Sequence, residues 1–239
     1  DKVVVLDSLP DAFDGVIIGN EVLDAMASEV MRWTENGIEQ MGVSIVDDQF
    51  AWTQRPVSDE RILAEALRIQ PDKQPYTSEL HLNQTAFIAT LAQKLVRGAI
   101  IMIDYGFDEA QYYHPQRSMG TLIGHYRHHV VDDPFFWPGL MDLTCHVNFT
   151  AMAQAAVDND LDLIGYTSQA HFLFNLGITE VLLAEHPDVN SKEYLQAASA
   201  MQKLVAPHEM GELFKVIAMG KGVDVDWQGF ANGDWCHKL

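Results

Sequence analysis

Short unbroken apolar runs and a block of strict alternation divide this chain into two kinds of territory. Val3–Leu6, Gly15–Ile18 and Ala99–Ile103 each run four or five residues without a charge. That is the pattern of strands covered on both faces, as in a parallel sheet. Residues 28–55 read differently. Glu29–Trp33, Ile38–Val46 and Gln49–Thr53 alternate apolar and polar positions, with Asn36-Gly37 and Asp47-Asp48 between them. This predicts an antiparallel meander with hairpin turns. Ser58 is placed to cap a helix running to about Ile69, which Pro71 and Pro75 end. A second helix is predicted over Asn83–Val96, with Gly98 as its stop. Further helices are expected over Asn148–Val157, Ser168–Leu176, Ile178–Glu185 and Lys192–Val205, and strands over Leu161–Tyr166 and Phe214–Met219. The sum is α/β with an antiparallel insertion: residues 1–27 and 79–239 form one domain, and 28–78 an inserted meander plus helix. The segment 105–147 is polar, aromatic and punctuated by Pro and Gly. A loop of that length within a compact domain usually has a functional task.

Composition narrows the function. The 239 residues suffice for one large domain or a domain with an insertion, and 48% hydrophobic with 21% charged residues is ordinary for a soluble globular protein. No run of apolar residues is long enough for a membrane span. A formal net charge of -19 repels phosphate backbones and disfavours nucleic acid as a partner. It suits a basic partner, although solubility alone accounts for it equally. Cys145 and Cys236 show no pairing or zinc-site pattern, which fits a reducing compartment. The chain opens without Met, inside an expected strand, so upstream sequence is anticipated.

The candidate chemistry begins at Gly15-Val-Ile-Ile-Gly-Asn-Glu-Val-Leu-Asp-Ala-Met26, where an apolar run stops at Asn20 and Glu21 and Asp24 follows. Ligands of open α/β sheets bind beyond the carboxyl ends of the strands. Two carboxylates and an amide there would grip a cation. The plain alternative is that Asn20 and Asp24 cap a following helix while Glu21 is solvated. Asp104-Tyr105-Gly106 ends the next apolar run and would adjoin the same site, or form a tight turn with Gly106 at positive φ. Alternation puts Asp142, Thr144 and His146 on one face of an extended segment. His146 would serve there as a proton acceptor, or an Asp–His hydrogen bond would fix the loop. Cys145 points the opposite way and makes no dyad with it. No Gly-x-Ser-x-Gly elbow supports a serine hydrolase. Glu79 reads either as a pocket carboxylate or as a first-turn helix acid, and Gln169 as a pocket hydrogen-bonder. Arg117 with Gly120-Thr121 reads as a loop brace. His125, His128 and His129 have i, i+3 spacing but no convincing third ligand, so hydrogen bonding or stacking is favoured over a metal.

Six runs in order resemble the MidA-like family of S-adenosylmethionine-dependent methyltransferases: Gly19–Met26, Asp104–Gly106, Arg117–Leu122, Asp142–Val147, Gln169–Leu173 and Met210–Val216. The family includes a mitochondrial complex I assembly factor that methylates protein arginine. The resemblance implies a Rossmann-like methyltransferase sheet, S-adenosyl-L-methionine as cofactor and a basic or arginine-containing protein as substrate. On that basis Glu21, Asp24 and His146 are the expected catalytic residues. Asn20 and Glu21 would contact the cofactor, and Asp104, Tyr105, Asp142, Thr144 and Gln169 the substrate. The family's glycine-rich cofactor loop and ribose-binding acid, which follow its first two strands, are not found. Gly220-Lys-Gly222 follows a late strand and cannot replace that loop. The resemblance therefore covers the C-terminal part of the family, with the first sheet strands missing. It implies a bacterial cytoplasm or a mitochondrial matrix and leaves room for a homodimer. The rival reading is a non-catalytic assembly protein that keeps the fold and binds a basic partner.

Overall fold

A computed structural model describes residues 2–127 and 129–239; His128, one of the three histidines considered above, lies outside them. The chain begins its order at β1 (Phe13–Asn20) and enters a four-stranded unit of β2 (Glu29–Thr34), β3 (Gly37–Val46), β4 (Gln49–Pro56), the helix α1 (Glu60–Ile69) and β5 (Tyr76–Leu80). It returns through α2 (Leu82–Lys94) to β6 (Leu95–Phe107). The next stretch holds α3 (Glu109–Tyr112), β7 (Ile123–Tyr126), β8 (His129–Val131), β9 (Asp142–Thr144) and β10 (Val147–Asn148). Then follow α4 (Phe149–Val157), β11 (Asp162–Ser168), α5 (Gln169–Asn175), α6 (Ile178–Glu185), α7 (Lys192–Val205), α8 (Met210–Leu213) and β12 (Phe214–Lys221).

The central sheet has the order β1-β6-β12-β11, with β10 beside the end of β6. β1 and β10 run parallel to β6, whereas β12 is antiparallel to both β6 and β11. Alternation along β6 divides its side chains between two cores. Ile100 and Met102 meet Ile88 and Leu91 of α2 and Met152 and Ala156 of α4. Ile101 and Ile103 face the other way, against Val216, Ala218 and Phe230. At Gly98 a Cβ would lie 1.8 Å from the Gly15 carbonyl oxygen, and φ is +135°. Only glycine permits β1 and β6 to come this close. Gly98 thus belongs to a strand and does not stop the helix. α2 ends at Lys94, and β6 starts at the next residue.

The inserted strands form a separate antiparallel sheet of order β4-β3-β2-β5. Trp33 is its anchor, packed edge-on to Tyr76 and donating its indole N–H to the Ala66 carbonyl at 2.9 Å. This ties α1 to the sheet. Asp59, not Ser58, caps that helix, accepting the Arg61 N–H at 2.8 Å. Three expectations change further. Val3–Leu6 forms no strand: Val5 is 90% exposed, because among the described residues no strand lies at the outer edge of β1 to pair with the run. The segment 105–147 is not one loop, since β7, β8 and β9 build a third small sheet within it. Gly106 does not turn with positive φ but continues β6, where β10 pairs with it.

Candidate functional site

The carboxyl ends of β1 and β6 open onto a cavity of about 710 Å³. Its formation starts at Glu21. The Glu21 N–H still donates to the Ile103 carbonyl at 2.9 Å, extending the β1–β6 ladder by one residue. There φ is +51°, and the chain turns out of the sheet. A non-glycine side chain in this region costs of order 1 kcal/mol or more, and such strain gathers at functional sites. No helix follows β1, so Asn20 and Asp24 have none to cap. Instead Leu23 inserts into the core and its carbonyl accepts from the Gln84 side chain at 2.8 Å.

Asp104 organises this turn from β6. One carboxylate oxygen accepts the N–H groups of Leu23 and Asp24 at 3.0 and 3.3 Å, and the other accepts the Tyr105 N–H at 2.9 Å. Burial, then the neighbouring Asp24 carboxylate, push its pKa up to about 7 against the pull of these donors. The Tyr105 hydroxyl donates to Asp24 Oδ2 at 2.7 Å, and burial raises its own pKa. Asp24 is only 3% exposed, and its other oxygen has no protein partner.

Glu21, Asp24, Tyr105, Asp142, Thr144 and His146 all line the cavity. Asp142 and Thr144 reach it from β9, and His146 follows two residues later on the same alternating face. The His146 ring stacks on Phe107 at 5.1 Å and meets the Tyr105 ring edge-on at 5.0 Å. Burial, then the charges of Arg117 and Lys215, lower its pKa to about 4, so the ring is neutral at neutral pH. Its Nδ1 and the Thr144 hydroxyl, like Asp24 Oδ1, are buried without a partner. Three unpartnered polar atoms in residues around one cavity are a ready set of hydrogen-bonding positions for a ligand.

Asn20 is exposed and does not line the cavity, and it donates to Glu21 Oε1 at 3.1 Å. Asp104 stands behind the cavity and shapes it through the backbone. Gln169 does not line it: its side chain donates to the Leu204 carbonyl at 2.8 Å and ties α5 to α7. Glu79 is neither a cavity carboxylate nor a helix acid. It sits buried in β5, accepting from the N–H groups of Thr121 and Leu122, the Thr121 hydroxyl and the Tyr112 hydroxyl. Thr121 Oγ1 in turn accepts the His146 N–H at 3.0 Å, so Glu79 braces the loop behind the histidine. Arg117 lies over the Phe107 ring at 4.1 Å. His125 lines the cavity, and among the described residues no group of His, Cys, Asp and Glu could hold a metal ion. The apolar wall of Ile123, Val130, Leu213 and Phe214 escaped sequence reasoning. Its members come from a small sheet inside a loop-like segment and from the α8–β12 junction, neither of which leaves a periodic signal.

The chain is similar to several known proteins. A family model described as "Putative S-adenosyl-L-methionine-dependent methyltransferase" matches residues 1–167. The protein arginine methyltransferase NDUFAF7 of Danio rerio mitochondria is 28% identical over 224 residues, covering 90% of this chain and 49% of the relative. Its homologue in Caenorhabditis elegans is 26% identical over 178 residues, covering 72% of this chain and 39% of the relative. The chain thus spans half or less of the length of these curated relatives. Two crystal structures from Burkholderia thailandensis superpose with TM-scores of 0.92 at 47% identity, each covering 98% of this chain and 62% or 60% of the other. One of them is bound to S-adenosyl-homocysteine. With one family model covering most of its length, the chain belongs to this S-adenosyl-L-methionine-dependent methyltransferase family.

Proposed function

We propose that this chain carries the acceptor side of a protein methyltransferase, with arginine as the acceptor residue. The observation behind this reading is the cavity at the β1 and β6 strand ends, where Glu21, Asp24 and Asp142 gather with three unpartnered polar atoms. A guanidinium stays protonated, with a pKa above about 12. Holding it takes carboxylates in fixed geometry, and bidentate pairing gives both position and affinity. Asp24 is fixed by the Tyr105 hydroxyl and by backbone bonds on both sides, while Glu21 stands at the mouth. Carboxylates around a guanidinium localise its charge on the nitrogens they touch and leave electron density on the remaining one. Val130, Leu213 and the buried Phe214 give the cavity an apolar wall.

S-adenosyl-L-methionine supplies an electrophilic methyl on a sulfonium. The residues fit its reactive end: acids and an amide meet at a strand terminus, and Asn20 and Glu21 would contact it there. The unpartnered Asp24 oxygen supports the fit, since a buried carboxylate oxygen without a donor suits a cationic neighbour. His146, neutral and unpartnered at Nδ1, would accept the proton lost from the methylated nitrogen. The name of the zebrafish relative, a protein arginine methyltransferase, supports arginine. Bacterial structural neighbours and mitochondrial relatives fit either a bacterial cytoplasm or a mitochondrial matrix. No helix among the described residues is long and apolar enough to cross a membrane.

The test is to incubate the full-length protein with methyl-labelled S-adenosylmethionine and a cell lysate, followed by mass spectrometry of the labelled proteins. Methylarginine that disappears with Glu21→Gln is the expected result. Label on another residue type overturns arginine, and no label at all overturns methyl transfer.

A further inference from the structure

The β3–β4 hairpin presents one apolar face to solvent. Val43 pairs with Trp52 and Ile45 with Phe50 across the ladder, so all four side chains share a face. Ile45 is 70% exposed and Trp52 40%. The segment between β8 and β9 completes this surface. Phe135 packs on Trp52 and Phe50 at 5.1 and 6.2 Å, linking the hairpin to the segment. Phe136 and Trp137 follow, about half exposed, with Trp137 stacked on Tyr126 of β7. The shelf is continuous with the candidate site, because Val130 of β8 and Arg127 beside Tyr126 line the cavity. A contiguous exposed apolar patch of this kind marks an interaction surface, and aromatic residues dominate the energetics of such surfaces.

Acids frame it. Asp47 and Asp48 form the exposed hairpin turn, and Asp132 and Asp133 precede the aromatic segment, both also exposed. These charges argue against a second copy of the chain: a self-complementary contact would bring the same aspartates together, on a protein of net charge -19. They argue equally against an anionic lipid surface.

We propose that this shelf docks an extended, basic segment of the protein substrate, with aliphatic or aromatic side chains on the aromatics and Lys or Arg against the four aspartates. The proposal rests on the function proposed above, whose substrate it describes: a protein segment held beyond the acceptor residue, not a free small molecule. Specificity would then come from residues flanking the methylated position.

The test is independent of catalysis. Three fluorescent peptides of equal length are titrated into the full-length protein: one of Arg with Leu and Phe, one of Arg with Ser, one of Glu with Leu and Phe. The Arg–Leu/Phe peptide should bind most tightly, weaken with salt, and lose about tenfold in affinity with the double variant Trp52→Ala, Trp137→Ala. Circular dichroism and thermal melting confirm that the variant is folded. Equal binding of all three peptides, no binding, or binding that the folded variant retains overturns the proposal. So does a concentration-dependent dimer, seen by sedimentation, that the same substitutions dissolve. Peptide binding without methyl transfer would leave the docking surface standing while sinking the proposed activity.

Discussion

Glu21 combines a strained backbone with an exposed carboxylate, and the two properties can be separated by substitution. Glu21→Gly should remove the strain of a left-handed residue and raise stability by about 1 kcal/mol, read as a higher urea midpoint. The same change should abolish methyl transfer. Glu21→Gln should lower kcat by about a hundredfold and weaken S-adenosylmethionine binding far less by calorimetry, because the charge serves the acceptor more than the cofactor. Unchanged turnover in either variant would remove Glu21 from the mechanism. Tyr105→Phe is the milder probe. It frees Asp24 Oδ2, so kcat should fall by about tenfold with cofactor binding intact. These residues were legible in the sequence because apolar runs stop at Asn20-Glu21, where β1 ends, and at Asp104, although β6 itself continues to Phe107. That Asp104 would face the backbone of the 21–24 turn was not legible, since the bond joins residues about 80 positions apart.

At the scale of elements, β5 and the loop it braces form the second structural unit of the site. Glu79 satisfies four donors while buried, and Gly120 leaves room for it: a Cβ there would lie 2.3 Å from its Oε1. Glu79→Gln removes the charge that four donors share and turns an amide N–H₂ toward the Tyr112 and Thr121 hydroxyls, which must then accept, and should cost about 1–2 kcal/mol in denaturant unfolding. A loss below about 0.5 kcal/mol would show that the brace is unimportant. At the end of β5, His81 is buried with both ring nitrogens unpartnered, and burial lowers its pKa to about 3. The unfolded chain therefore takes up a proton below the ordinary value near 6.5 while the folded chain does not, so this contribution is lost as the pH falls. At pH 5 the loss is about 2 kcal/mol. Asp104 acts in the opposite sense: its raised pKa lowers stability as the pH rises from about 4 to 7. His81→Phe should flatten the acid side of the stability profile by about 2 kcal/mol between pH 7 and 5 while leaving the Asp104 limb unchanged. A profile parallel to wild type would contradict the assignment.

For the molecule as a whole, charge and sheet order set the terms. A net charge of -19 should make any basic substrate bind more weakly as salt screens it. The KM for a protein substrate should therefore rise severalfold between about 0.05 and 0.3 M salt, with kcat little changed, and a salt-independent KM would argue against electrostatic capture. The sheet is mixed and not wholly parallel. β12 inserts antiparallel between β6 and β11, and its first residue, Phe214, reaches the cavity wall. The antiparallel β12 thus starts at a site otherwise built from the first 146 positions, and brings Phe214 and the preceding Leu213 to its wall.

The sequence by itself determined the local facts. Apolar runs and alternation placed most strands and helices, and six ordered motifs identified the family. These signals are readable because they depend on near neighbours. Only the tertiary structure decided that Asp142, Thr144 and His146 face Glu21 and Asp24, and that Glu79 and Gln169 hold the frame together away from the cavity. Which groups meet, and which buried atoms go without a partner, depends on strand pairing between distant segments, and no local pattern encodes that pairing.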